Sequence, residues 1–232
     1  MVAEKKIELL TGPVCTVKVG PNKESFSIHE KLISSCSPFF DTALAGPWKE
    51  ASEHSVKLPE DEPEIFTLYV RWLYSGQINP LSDQAGLNKI TGDKLKLTGN
   101  ELRDHEYTQL FKACFLADKL LDTGFHDAVI RAILSKLSRR SVLAHYCLPG
   151  ATPIAWLFNK AQTSTQVRRL VIDAYAKEGR SQCFTSSDVN KIPTIFYRLL
   201  AESLMDKRAT PPNWTLKPED YFSTPASLKR KR

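Results

Sequence analysis

Apolar and polar residues alternate from Val14 to Val19, with Cys15, Val17 and Val19 on one face and Thr16 and Lys18 on the other. A period of two predicts a half-buried strand. The turn-forming stretch GPNKE (20–24) follows, and alternation resumes over 25–28 with Phe26 and Ile28 inward, so the two runs read as a hairpin. The spacing then becomes helical. Leu32, Ile33 and Cys36 lie on one face of a short helix that Pro38 ends. Ser37 can cap a second helix with Pro38 at its first position, where a missing N–H costs nothing. Phe39, Phe40, Ala43 and Leu44 form that helix's apolar stripe, and Gly46 stops it.

Further along, Val56, Lys57 and Leu58 predict a short strand bounded by Pro59. Residues 60–76 predict a long amphipathic helix, with acidic residues at 60, 61, 62 and 64 against the positive end of its dipole. Phe66, Tyr69, Val70, Leu73 and Tyr74 are its expected inner face. Residues 77–104 are polar and rich in Gly, Asn, Asp and Lys, and read as a long surface loop. Tyr107, Leu110, Phe111, Cys114, Ala117 and Leu121 then define a helix. After the break LDTG, a partner helix buries Phe125, Val129, Ile133 and Leu137; the short link makes the two antiparallel neighbours.

Beyond Arg140 the pattern stays helical. Thr152 is the expected cap of a helix with Pro153 in its first turn, and Val167, Leu170, Val171, Ala174 and Tyr175 line another. A last helix over 188–206, bent at or begun from Pro193, should bury Ile195, Phe196, Leu199, Leu200 and Leu204. The Pro-rich, polar run after Lys207 is expected to be disordered.

Composition changes this picture little. At 232 residues, 42% hydrophobic and 25% charged, the chain reads as an ordinary soluble protein without a secretory leader or membrane span. Residence inside the cell follows, nuclear or cytoplasmic. Cys15, Cys36, Cys114, Cys147 and Cys183 are odd in number and widely spaced, which predicts reduced core thiols. The sequon Asn213-Trp214-Thr215 should then stay unmodified. Charge matters more for its place than for its size. Lys229, Arg230, Lys231 and Arg232 carry four of the six net positive charges, so the rest of the chain is close to neutral. That predicts a basic tail, a candidate nuclear-import signal, rather than a nucleic-acid-binding body.

The search for chemistry finds no reaction. His29, His54, His105, His126 and His145 form no ligand pair at metal spacing, and no zinc, esterase or phosphate-loop motif is present. His145 and Cys147 are two apart, which on a helix points them away from each other. No catalytic residue, metal or cofactor is expected. His29, between Ile28 and the following helix, reads as an architectural residue whose ring packs while it donates to a carbonyl or caps backbone groups.

In order along the chain, His29 and Leu32, Ser37-Pro38-Phe39-Phe40, Pro63 and Phe66, Trp72-Leu73-Tyr74-Ser75-Gly76, and Ala117-Asp118-Lys119-Leu120 together resemble the BTB/POZ domain, particularly its fungal branch. The resemblance implies an α+β fold, a helical cluster flanked by a short sheet, with an α-helical carboxy-terminal extension. It divides the chain into a segment over 1–13, the domain over 14–140, the extension over 141–206 and the tail over 207–232. His29, Ser37, Phe39 and Phe40 are then signature residues of the architecture. Cys15 stands where many members carry an aspartate.

The function implied is non-enzymatic protein interaction, with a cullin among the candidate partners and a homodimer as the candidate assembly. The alternatives are a nuclear transcription-regulatory or scaffold protein that uses the domain to oligomerise, and an uncharacterised enzyme. In cullin-binding relatives a hydrophobic-x-Glu triplet follows the helix that bears the Ser-Pro-Phe-Phe signature. Trp48-Lys49-Glu50 falls in that place, making Trp48 and Glu50 the candidate partner contacts.

Overall fold

The computed structural model describes residues 8–78, 99–138, 148–160, 165–184 and 187–206. Strand β1 (Val14–Val19) buries Cys15, Val17 and Val19 completely, as its alternation requires. It pairs antiparallel with β2 (Glu24–His29), from Val14 opposite His29 to Val19 opposite Glu24. Gly20 begins the connecting turn at φ +76°, and a side chain there would crowd the Pro63 ring at 3.2 Å. Helices α1 (Glu30–Cys36), α2 (Pro38–Ala45) and the five-residue α3 (Lys49–Glu53) carry the chain back. Strand β3 (Ser55–Leu58) can therefore lie parallel to β1, completing a sheet of order β2-β1-β3.

Helix α4 (Pro63–Ser75) packs across this unit, and Gly76 closes it at φ +72° by donating its N–H to the Trp72 carbonyl at 2.7 Å. Its buried face is broader than the heptad pattern suggested. Ile65 and Leu68 are buried beside Phe66, Tyr69 and Leu73, while Val70 and Tyr74 are half-buried. A helix covered on several sides uses more than one stripe.

Helix α5 (Gly99–Leu120) begins earlier than expected: residues 99–104 are helical, and residues 79–98 of the expected loop lie outside the described residues. The first turns carry no apolar periodicity because their side chains make polar contacts, with Asn100 Oδ1 accepting from Arg103 and Asp104 reaching residue 150. At the other end Leu120 is buried and Leu121 is 61% exposed, reversing the expectation for Leu121. The helix stops in a Schellman turn. Asp122 N–H reaches the Ala117 carbonyl at 3.0 Å, and Leu121 takes the left-handed position at φ +56°. Helix α6 (Thr123–Ser138) then buries Phe125, Val129, Ile133 and Leu137 as expected.

The extension comprises α7 (Ala151–Asn159), α8 (Thr165–Glu178), two short 3-10 turns and α9 (Thr194–Asp206). Thr152 does not cap α7. Gly150 is the capping position, and Asp104 of α5 supplies the acceptor, taking the Gly150 N–H at 2.9 Å. A β-carbon on residue 150 would overlap that carboxylate. The Tyr175 hydroxyl donates to the Pro149 carbonyl, and Phe158, Tyr175, Phe184 and Phe196 form an aromatic core. Leu204 is 47% exposed rather than buried. The fold is α+β, a three-stranded sheet against a helical cluster with a helical extension.

Candidate protein-interaction surface

Trp48 sits between α2 and α3, and helix endings set its position. Ser37 caps α2 by accepting from Phe40 N–H at 3.3 Å, and Gly46 ends it in extended backbone. Pro47 follows, so the chain cannot continue as helix. The Trp48 carbonyl accepts from Ala51 and Ser52 N–H at 3.2 and 3.3 Å, which starts α3. None of the α3 residues is buried. The Trp48 side chain thus leaves the junction into solvent, 59% exposed, and Glu50 is exposed beside it. Trp48, at the capping position, and Glu50, in the first turn of α3, are both exposed at the start of one short outer helix. The structure does not fold the indole into the hydrophobic core.

Gly46 contributes something that its reading as a helix stop missed. A β-carbon there would lie 2.4 Å from Trp48 Cδ1 and 2.7 Å from Nε1, so the indole rests on the bare glycine backbone. The Gly46 backbone, at φ −83°, suits any residue. Gly46→Ala is therefore expected to displace the indole and, because its β-carbon would also press on the Thr42 carbonyl at 3.0 Å, to lower the melting temperature by only about 2–4 °C. Loss of a Trp48-dependent binding signal with folding intact is the outcome to look for. An unchanged signal would mean that the indole's seat does not matter.

The signature residues lie apart from this surface. The hydroxyl of fully buried Ser37 also donates to the Leu120 carbonyl at 2.6 Å, tying α2 to the end of α5. Phe40 is fully buried and Phe39 half-buried, their rings edge-to-face at 5.2 Å. His29 occupies the strand-to-helix seam, but its ring caps no backbone group: Nδ1 lies 2.9 Å from the Tyr74 hydroxyl. Sequence spacing could not reveal that partner 45 residues away. Cys15, which the resemblance sets against an aspartate, is buried, and its thiol donates to the Ile28 carbonyl at 3.5 Å. The basic tail Lys229–Arg232, the sequon at 213–215, and His145 and Cys147 lie outside the described residues.

Nothing in the described residues assembles a reactive centre. Burial pushes the Cys15 thiol up to about 11 and the Cys114 thiol higher still, which keeps both protonated and poorly nucleophilic. Cys36 is half-buried and also raised, whereas Cys183 is exposed, against the expectation of a core thiol. No group of three or more His, Cys, Asp or Glu side chains could hold a metal among the described residues. No described helix is long and apolar enough to cross a membrane.

Residues 9–106 match the family model of the BTB/POZ domain. Kelch-like protein 41 of Mus musculus is 34% identical over 65 residues, which is 28% of this chain and 10% of the relative. The protein of that name from Homo sapiens is also 34% identical and that from Rattus norvegicus 32%, over the same shares. The match thus spans about a tenth of the length of these curated relatives.

Proposed function

We propose that this chain, whose residues 9–106 are a BTB/POZ domain, is a non-enzymatic substrate adaptor that engages a cullin through Trp48 and Glu50. The observation that carries the proposal is the exposed indole on a short helix with a carboxylate two residues on. Tryptophan is favoured at interface hot spots. A Trp side chain buries roughly 150–250 Å² when covered, and Trp48 leaves 59% of its surface to solvent. Covering roughly 100 Å² of it at about 25 cal/mol per Å² contributes about 2.5 kcal/mol before the costs of ordering the interface. Glu50 adds orientation and a charge pair.

On this reading the domain over 14–140 binds the cullin, and a homodimer is the candidate assembly. The fungal affiliation belongs to the same proposal and rests on the helical extension. The second reading, a nuclear regulatory or scaffold protein, rests on the basic run Lys229–Arg232. A pull-down with purified cullin amino-terminal domains separates the two. Wild-type protein is expected to capture a cullin, and Trp48→Ala combined with Glu50→Lys to lose capture with its melting curve unchanged. Failure of the wild type to capture any cullin sinks the adaptor reading.

A further inference from the structure

Helix α3 carries Glu50 and is capped by Trp48, yet it has little to hold it in place. Five residues with none buried are far below the roughly 12–15 that an isolated helix needs. The Lys49–Glu53 ion pair along it is exposed at both ends and adds at most a few tenths of a kcal/mol. Orientation must come from its ends. At the first, Trp48 itself accepts the opening hydrogen bonds. At the other stands His54, in the left-handed conformation at φ +46°, ψ +39°, with its N–H directed back to the Ala51 carbonyl at 3.4 Å.

His54 makes two further ties. Its carbonyl accepts from Thr16 N–H at 2.8 Å, just where β1 and β3 begin to pair. Its ring Nδ1 lies 3.0 Å from Glu30 Oε2 at the start of α1. An ionised carboxylate only accepts, so the ring donates from Nδ1. The Glu30 side chain is 19% exposed and that of His54 55%, a contact sheltered on one side only. Among the charged groups on the elements around it (Lys18, Asp41, Lys57, and Lys49, Glu50 and Glu53 of α3), none forms an ion pair with the ring in the described residues.

We infer that the Glu30–His54 contact is a clasp that fixes α3 to α1 and thereby sets how Trp48 and Glu50 are presented to a partner. Glu30 and His54 are positioning residues, acting through α3 without touching the partner. The inference rests on the reading of Trp48 as a partner contact, and its test separates the two.

The direct readout is the Trp48 indole N–H resonance in a ¹⁵N-labelled full chain, assigned by its loss in Trp48→Phe. Glu30→Ala and His54→Asn each remove the clasp; asparagine keeps the backbone carbonyl and tolerates the left-handed conformation. Both are expected to shift or broaden the Trp48 resonance, and Glu30→Gln, which retains an acceptor, to restore it. Binding of a labelled cullin amino-terminal domain should weaken by about 3- to 5-fold in each single variant. The double variant should be no weaker than either single one, since both changes break one contact. An unmoved indole resonance in both variants overturns the clasp, as does full additivity in the double. A clasp-dependent resonance in a protein that captures no cullin instead removes the adaptor reading and leaves the clasp standing.

Discussion

Phe40→Ala is expected to destabilise the protein by about 3–5 kcal/mol, a large share of the 5–15 kcal/mol that holds a typical domain. The ring is fully buried on the inner face of α2, between Phe39 at 5.2 Å and Phe66 at 6.5 Å. Phe66 in turn meets Phe26 at 5.0 Å and Tyr69 at 5.7 Å, so a cavity at Phe40 opens into the aromatic seam that joins β2, α2 and α4. For a chain of this length the melting temperature should fall by about 10 °C or more. Phe39→Ala is the control. Half-buried, it should cost well under half as much. Equal losses from the two substitutions would mean that α2 is rotated about its axis relative to the structure described.

How much of this was legible in the sequence depended on the range of the forces involved. The β1–β2 hairpin, both short helices, the Ser37 cap and the buried stripe of α6 follow from spacings within about a dozen residues, and all appear in the structure. Some of the errors fall where a distant group replaces a local one. Thr152 looked like a cap, but Asp104 from α5 satisfies that helix end. Leu121 fits the stripe of α5, yet the Schellman turn ends the helix one residue earlier and puts it in solvent. The first turns of α5 looked like loop because their contacts are polar: Arg103 donates to Asn100 within the turn, and Asp104 reaches Gly150 from elsewhere in the chain. The Trp48-Lys49-Glu50 triplet could be placed by resemblance, but no local pattern shows that the indole lies on Gly46 or that Glu30 reaches His54.

Asp122 shows the same long-range logic in its most costly form, and it was not singled out in the sequence at all. It is 1% exposed, and it combines a local cap with one contact to a helix far away in the chain. Oδ1 accepts from Phe125 N–H at 2.8 Å, capping α6, and Oδ2 accepts from the Tyr69 hydroxyl of α4 at 3.0 Å. Asp122→Ala would remove the cap and strand a buried tyrosine hydroxyl, together about 2–4 kcal/mol. Tyr69→Phe takes one donor from the buried carboxylate, which keeps the Phe125 and Gly124 N–H groups, so it should cost about 1–3 kcal/mol.

The carboxylate also carries a pH signature. Burial raises its pKa above the ordinary value, with the Phe125, Tyr69 and Gly124 donors pulling the other way. A raised native pKa means that the folded state holds the proton more tightly than the unfolded one. Its stabilising contribution is therefore full below the ordinary carboxylate range and declines as pH rises through the raised value. Glu64 has the opposite sign: the His105 hydrogen bond lowers its pKa, so its contribution is present above its ordinary range and lost in acid. A plain pH scan would mix the two, whereas the difference between wild type and Asp122→Asn isolates Asp122. Urea unfolding from about pH 3.5 to 7 should show the wild-type advantage over Asp122→Asn shrinking as pH rises. An advantage that widens with pH would mean that the donors outweigh burial and that the native state prefers the ionised carboxylate.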